Sequence, residues 1–321
     1  MVTRRALLAG VLTVLVTPAA ASGQRAHVHR IGFLRVGQPP KLWIDTFVQT
    51  LREENYVEGK NLVIEYGLAT EAGQLPEIAA DLVRRKVEIL VASGTPSVMP
   101  AKRATNSVPV VFVAAVDPVA AGVTASLARP GGNITGVTAM HADLIAKRLG
   151  FVKELIPSLS AVVVLAREGS AATAQYAREA EQAAPKLRLQ LRVLTIREPA
   201  DLEAALSSLR GVQALVVADD AVFTTHRERI AEVALKNRLP TAYGFSDMVA
   251  AGGLMAYGPH YGDMYRQAAI QVQKILTGTK PAELPIEQPI KFELVINLRT
   301  AKALGLTVPK TLLVRADQLI E

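Results

Sequence analysis

An α/β fold made of two Rossmann-like lobes with parallel sheets is predicted by three features of this 321-residue sequence. Short apolar runs such as Ile89-Leu90-Val91-Ala92 and Pro109-Val110-Val111-Phe112-Val113 recur between helical stretches, and an unbroken apolar strand is one buried on both faces of an open sheet. Half of the residues are apolar but only 5% are aromatic, which suits Val/Ile/Leu strands covered by Ala-rich helices. The strand–helix alternation runs through two series of similar length in tandem. Right-handed crossovers return each series to its own sheet.

The first series opens with a strand over 29–36 and a helix over 44–55 that sets Phe47, Val48 and Leu51 on one face. The turn Tyr56-Val57-Glu58-Gly59-Lys60-Asn61 leads into a strand at 62–66. There follow a helix at 74–85, a strand at 87–92, a helix at 96–105, a strand at 108–114, a short helix at 120–127 and a strand at 134–138. The second series takes helices at 143–155, 172–184, 199–209 and 225–237. Its strands are expected at 161–165, 189–195, 212–217, near 240–242, and at 253–256. A helix at 261–276, a Pro-rich stretch over 280–289, a strand at 292–297 and a helix at 298–304 complete the chain.

Residues 1–23 read as an export signal: Arg4 and Arg5, an apolar run over 6–16, Thr17-Pro18, then small residues to Gly23. The run is short of the ~20 residues that span a bilayer, and the Ala19–Ala21 pattern offers a cleavage site. Thr3-Arg4-Arg5 also fits a twin-arginine signal, with Ala6 departing from the bulky residue usual there. Cys is absent, which excludes disulfides, thiolate chemistry and a lipid-bearing Cys. A soluble protein working outside the cytoplasm, with no stable membrane insertion after signal cleavage, follows; a monomer is expected, and the periplasm is the location that the family resemblance described below implies. Loss of the signal leaves 34 basic against 29 acidic residues with no dense basic block, so no nucleic acid is expected as a partner.

In open parallel sheets small molecules bind beyond the carboxyl ends of the strands, where helix N-termini present free N–H groups. The candidate loops are 35–39, Ser93-Gly94-Thr95-Pro96, Asp117-Pro118 with Thr138 beside it, 167–170, Asp219-Asp220 and 244–246, which includes Ser246. With Pro96 suited to the first helical turn after Gly94, Ser93, Thr95 and the N–H groups behind them can receive a carboxylate, or Thr95 can simply cap the helix. Asp117, Asp219 and Asp220 can accept an ammonium or cap the helices that follow. Arg129-Pro130-Gly131-Gly132-Asn133 precedes a strand and reads as a tight turn, not a phosphate loop.

Catalytic and cofactor patterns are missing: there is no G-x-S-x-G, no G-x-x-x-x-G-K-[ST] and no G-x-G-x-x-G. No cofactor is therefore expected. The five histidines never fall into H-x-x-x-H or H-E-x-x-H spacing, so no metal centre is expected, and His27-Val28-His29 is either an incidental metal contact or part of a tail.

The motifs Asn55-Tyr56-Val57-Glu58-Gly59-Lys60-Asn61-Leu62, Gly94-Thr95-Pro96, Val116-Asp117-Pro118-Val119, Ala128-Arg129-Pro130-Gly131-Gly132-Asn133, Gly252-Gly253-Leu254-Met255-Ala256 and Phe292-Glu293-Leu294-Val295-Ile296-Asn297 stand in the order found in one family. The chain resembles the ABC-transporter substrate-binding proteins related to the bacterial tryptophan/tyrosine-binding component, over essentially all of its mature length. The resemblance implies a type I periplasmic-binding-protein clamshell with three interlobe crossovers and no catalytic activity. It places 28–138 plus about 259–285 in the first lobe, and 139–258 plus about 286–321 in the second. Thr95, Asp117 and Asp220 would line the cleft. Arg167-Glu168-Gly169 and Asp219-Asp220-Ala221 depart from the family pattern. The expected function is capture of an amino acid or similar metabolite by hinge closure and delivery to ABC permease membrane subunits. A sensory module for a membrane receptor is the alternative, and an exported α/β enzyme would need a nucleophile and base that the spacings do not supply.

Overall fold

A computed structural model describes residues 27–139, 144–170, 172–207 and 211–321. The expected export signal, the start of the helix at 143 and the end of the helix at 208–209 lie outside the described residues. The first series forms β1 (His29–Val36), α1 (Lys41–Glu53), β2 (Leu62–Ala69), α2 (Leu75–Arg84), β3 (Ile89–Ser93), α3 (Thr95–Ala104), β4 (Val110–Ala115) and β5 (Ile134–Thr138). These five strands make one parallel sheet in the order β2-β1-β3-β4-β5. The residues of β3, β4 and β5 are all buried, which is why they read as unbroken apolar runs.

The second series forms α4 (Ile145–Leu155), β6 (Ala161–Arg167), α5 (Thr173–Ala183), β7 (Gln190–Ile196), α6 (Leu202–Ser207), β8 (Ala214–Val217), α7 (Ala221–Thr225), α8 (Arg227–Lys236), β9 (Thr241–Tyr243), α9 (Ser246–Ala250) and β10 (Met255–Pro259). The chain then runs through α10 (Tyr261–Leu276), β11 (Phe292–Asn297), α11 (Leu298–Ala303), α12 (Lys310–Arg315) and β12 (Gln318–Ile320). The second sheet has the order β12-β11-β10-β9-β8-β6-β7 and is parallel except where β10 meets β11.

The chain passes between the sheets three times. After β5 it enters α4, which packs on β8, β9 and β10. After β10 it returns as α10, which packs against α1, β4 and β5. The Pro-rich stretch stays with the first sheet as far as Glu287, whose N–H bonds Gly136 O and whose carbonyl accepts from Thr138 N. It then rejoins the second sheet as β11. The buried Gln271 of α10 pins this return by donating Nε2 to Gly136 O and Pro285 O, each at 3.2 Å. The apolar core of the second lobe continues into one face of the first through Trp43, Tyr261 and Tyr265, while the other face of the first sheet has a separate core around Phe112 and Leu90.

Four local expectations are corrected. No helix forms over 120–127: Asp117 Oδ1 accepts from Ala120 N at 2.9 Å, Lys102 Nζ takes the carbonyls of Gly122 and Val123, and the segment closes as consecutive turns. The helix expected at 225–237 begins at Ala221 and breaks at His226. Asp220 caps its start, and the hydroxyls of Thr224 and Thr225 bond back to the carbonyls of Asp220 and Ala221, which competes with a continuous helix. The short helices α9 and α12 were not anticipated. The closing strand β12 was not either, because three residues paired to an edge leave too brief a pattern to read.

Gly136 sits where a Cβ would overlap the carbonyl oxygen and ring of Phe112 on the neighbouring strand. Gly136→Ala is expected to lower unfolding stability by about 1–3 kcal/mol through overpacking of β4 against β5, read as a shifted midpoint in urea denaturation.

Candidate functional site

A cavity of about 20 Å³ lies between the lobes, lined from the first by Arg35, Trp43, Gly94, Thr95, Ala114 and Val116, and from the second by Asp219, Asp220, Ala221, Thr224 and Phe245, with Tyr261 at the crossing. These residues come from the carboxyl ends of β1, β3, β4, β8 and β9, from α1 and α7, and from the starts of α3 and α10. The volume is far below the ~300–1,000 Å³ usual for small-molecule sites, so the lobes must part to admit a solute.

The lobes meet above it. Thr225 of α7 donates its hydroxyl to Val36 O at 3.3 Å, and Gly37 (φ +66°) lies so close that any Cβ would overlap the Thr225 side chain. A Cβ on Gly94 (φ +80°) would stand 3.2 Å from that of Ala221. The lobes are therefore in a closed disposition.

Arg35, the seventh residue of β1, is 2% exposed. Its Nη1 donates to Ser93 Oγ at 3.2 Å, and that hydroxyl is 2.5 Å from Tyr265 OH. The guanidinium carbon lies 5.5 Å from the centre of the Trp43 ring. Nε and Nη2 are buried with no hydrogen-bond partner, and among the described residues no carboxylate lies within 4 Å of this cation.

The acids of the cavity are by contrast engaged. Asp219 pairs with Arg148 Nη1 at 2.7 Å, with both side chains essentially unexposed, and Arg148 Nε also donates to Tyr257 O. Asp220 accepts from Arg167 Nε at 2.9 Å and caps α7 by accepting from Val222 N at 2.9 Å. Each acid has its own arginine, and Arg35 remains a buried positive charge without one. Leaving a guanidinium in that state is costly unless an anion completes it.

Trp43, Phe245 and Tyr261 form the apolar wall. Trp43 stacks on Tyr261 at 4.3 Å between centroids, and Phe245 meets Tyr261 edge-on at 4.7 Å. Burial and then the charge on Asp219 push the Tyr261 hydroxyl well above its ordinary value, so it stays protonated. Burial likewise raises the carboxyl of Asp247, which takes a hydrogen bond from Trp43. At the end of β4 the register shifts between Val113 and Ala115, and Ala114 takes φ +61°. This irregularity places Ala114 and Val116 in the cavity wall.

Of the residues singled out from sequence, Gly94, Thr95, Asp219 and Asp220 line the cavity together. Thr95 also accepts from Val116 N at 3.1 Å, so it ties α3 to the end of β4. Ser93 lies behind the wall and holds Arg35. Pro96 forms the first turn of α3 without lining the cavity, and Pro118 lies in the turn after β4. Asp117 is turned into that same turn by its bond to Ala120 N and does not face the cavity. Thr138 donates its hydroxyl to Ala115 O, and Ser246 opens α9, half-buried and outside the lining. Trp43 and Tyr261 fall outside the candidate loops, while Arg35 and Phe245 fall inside the loops 35–39 and 244–246 without a role of their own being read there. An arginine at the seventh position of an otherwise apolar strand, HRIGFLRV, was the available signal.

Over residues 41–320 the chain matches the family described as ABC transporter substrate binding protein. It is 27% identical over 262 residues to the tyrosine-binding protein of Clostridioides difficile strain R20291, covering 81% of this chain and 75% of that one. It superposes with a TM-score of 0.86 on a conserved domain protein from Vibrio cholerae, at 25% identity, covering 91% and 99% of the two chains. The TM-score is 0.85 at 23% identity, covering 91% and 100%, for an ABC domain from Streptococcus pneumonia in complex with L-Trp. It falls to 0.66 at 24% identity, covering 91% and 99%, for the ligand-free, open structure of a substrate binding protein from Clostridium difficile. With the family matched over nearly all of the described chain and its two-lobed architecture reproduced, this protein is a member of the ABC transporter substrate-binding proteins.

Proposed function

We propose that this solute-binding protein captures a small zwitterion of the amino-acid class, with an apolar or aromatic side chain, and hands it to the membrane permease of an importer. The observation behind this reading is the buried, anion-lacking Arg35 in the interlobe cavity. A ligand carboxylate met in bidentate fashion by Nε and Nη2, and flanked by the N-terminus of α3 at Gly94 and Thr95, satisfies the guanidinium. The carboxylates of Asp219 and Asp220 form the opposite wall and retain acceptor capacity for the ammonium group, since a carboxylate offers about four acceptor sites. Trp43, Phe245 and Tyr261 receive the side chain.

The aromatic wall agrees with the tyrosine named for one relative and the tryptophan bound in another. The chain catalyses nothing in this reading; binding and hinge closure are its whole chemistry. Export by the segment 1–23 places it outside the cytoplasm, and no helix among the described residues is long and apolar enough to cross a membrane.

Titration calorimetry of the unfolded, ligand-stripped and refolded protein against amino acids and their decarboxylated amines tests the reading. An aromatic or large apolar amino acid is expected to bind, and its decarboxylated amine is not. Equal binding of the amine would reject the role given to Arg35. Arg35→Met is expected to weaken the amino acid by about 2–4 kcal/mol, thirtyfold to nearly a thousandfold, while the ligand-free thermal midpoint changes little. Gly37→Ala sets a methyl against Thr225 only in the closed form. A loss of about 1–3 kcal/mol in affinity is expected, together with a smaller ligand-induced compaction in small-angle scattering.

A further inference from the structure

A second set of converging donors lies at the opposite end of the first sheet. His29 opens β1, and His27 precedes it by two residues, so that the extended chain sets both imidazoles on one side. Glu88 arrives from a distant part of the sequence, immediately before β3. His27 Nε2 lies 3.0 Å from Glu88 Oε1, and His29 Nδ1 lies 2.9 Å from Glu88 Oε2. All three ligand atoms fall within 4.8 Å of one another. The cluster sits at the amino ends of the strands, six residues along β1 from Arg35 or roughly 20 Å away, and shares nothing with the cavity.

We propose that His27, His29 and Glu88 bind a divalent first-row transition-metal ion, with Zn²⁺ as the representative. Two imidazoles and one carboxylate are a donor set that suits zinc, copper or nickel and disfavours Mg²⁺ and Ca²⁺, which take oxygen ligands. Three protein donors leave a fourth, tetrahedral position for water. Zinc–ligand bonds of ~2.1 Å put two ligand atoms about 3.4 Å apart, so the histidine–glutamate separations need to widen by only a few tenths of an ångström. The larger histidine–histidine gap closes by rotation of His27, whose side chain is 68% exposed.

The surroundings orient the donors. Arg30 N–H donates to Glu88 Oε1 at 3.1 Å, and the His29 ring rests edge-on against Tyr56 at 5.2 Å. Such second contacts hold metal ligands in place. The ion would staple the start of the described chain to β3.

The test uses the untagged mature chain, free of chelator, titrated with ZnCl₂ at pH 7.5 and with MgCl₂ as control. One equivalent of Zn²⁺ is expected to bind and raise the thermal midpoint, and Mg²⁺ is expected to do neither. His29→Gln and Glu88→Gln are each expected to weaken zinc at least tenfold, with circular dichroism and amino-acid binding in the cleft unchanged. Zinc binding that is absent, or that survives both substitutions undiminished, would overturn the proposal and leave a hydrogen-bonded clasp. Because cleft binding is read separately, failure here is distinguishable from failure of the transport reading.

Discussion

The arrangement of this protein depends on an imbalance of charge in a dry place. Arg148, Arg167 and Arg35 converge on the interlobe region, and two aspartates neutralise the first two. The third, Arg35, is held by a serine hydroxyl and an indole face, neither of which carries a negative charge. A guanidinium keeps its proton at every accessible pH, so it cannot escape burial by becoming neutral. It must be either hydrated, which requires the lobes to part, or met by an anion.

The paired arginines also tie the binding wall to the path of the chain. Arg148 on α4 grips Asp219 at the end of β8 and the carbonyl of Tyr257 in β10, two residues before the chain crosses to α10. Tyr176 adds a hydroxyl to Asp219 O. Gly244 must be glycine because a Cβ there would overlap Asp219 and Arg148. A wall residue and a crossover strand are thus fixed by one buried arginine. Removing either member of the Arg148–Asp219 pair would strand the other charge, which typically costs 3–5 kcal/mol.

Much of this was legible in the sequence because parallel strands buried on both faces announce themselves as apolar runs. β1, β5, α10 and β11 end where the pattern ended. Gly94, Thr95, Asp219 and Asp220 could be placed at the cavity wall from sequence because strand-end loops are short and the rule placing ligands there is topological. Asp117 showed the limit of that rule: the residue lies at a strand end, yet a local turn hydrogen bond claims its carboxylate, and sequence alone does not separate the two uses. Arg35 opened the candidate loop 35–39, but its role was hidden for the opposite reason. Its meaning depends on having no partner, and that is a property of the assembled lobes. Trp43 stands one residue before the helix expected over 44–55 and carried no expectation of its own. Its stacking on Tyr261, more than two hundred residues later, follows only from the return of α10 to the first lobe.

Closure and charge can then be seen as one device in the proposed reading. Without ligand, the closed form sequesters an unmatched cation, and the open form is favoured because water reaches the guanidinium. A carboxylate reverses the sign of that term, since it has strong differential affinity for the closed form. A ligand lacking one has little leverage however well its side chain fits. Moving a two-state equilibrium from 1:99 to 99:1 takes about 5.5 kcal/mol of differential binding, and a desolvated guanidinium–carboxylate contact plus a buried aromatic face is of that order. The tight contacts of Gly37 with Thr225 and Gly94 with Ala221 make the closed surface a single well-defined shape instead of a continuum. A membrane partner that recognises this shape would read the occupancy of the cavity without touching its contents.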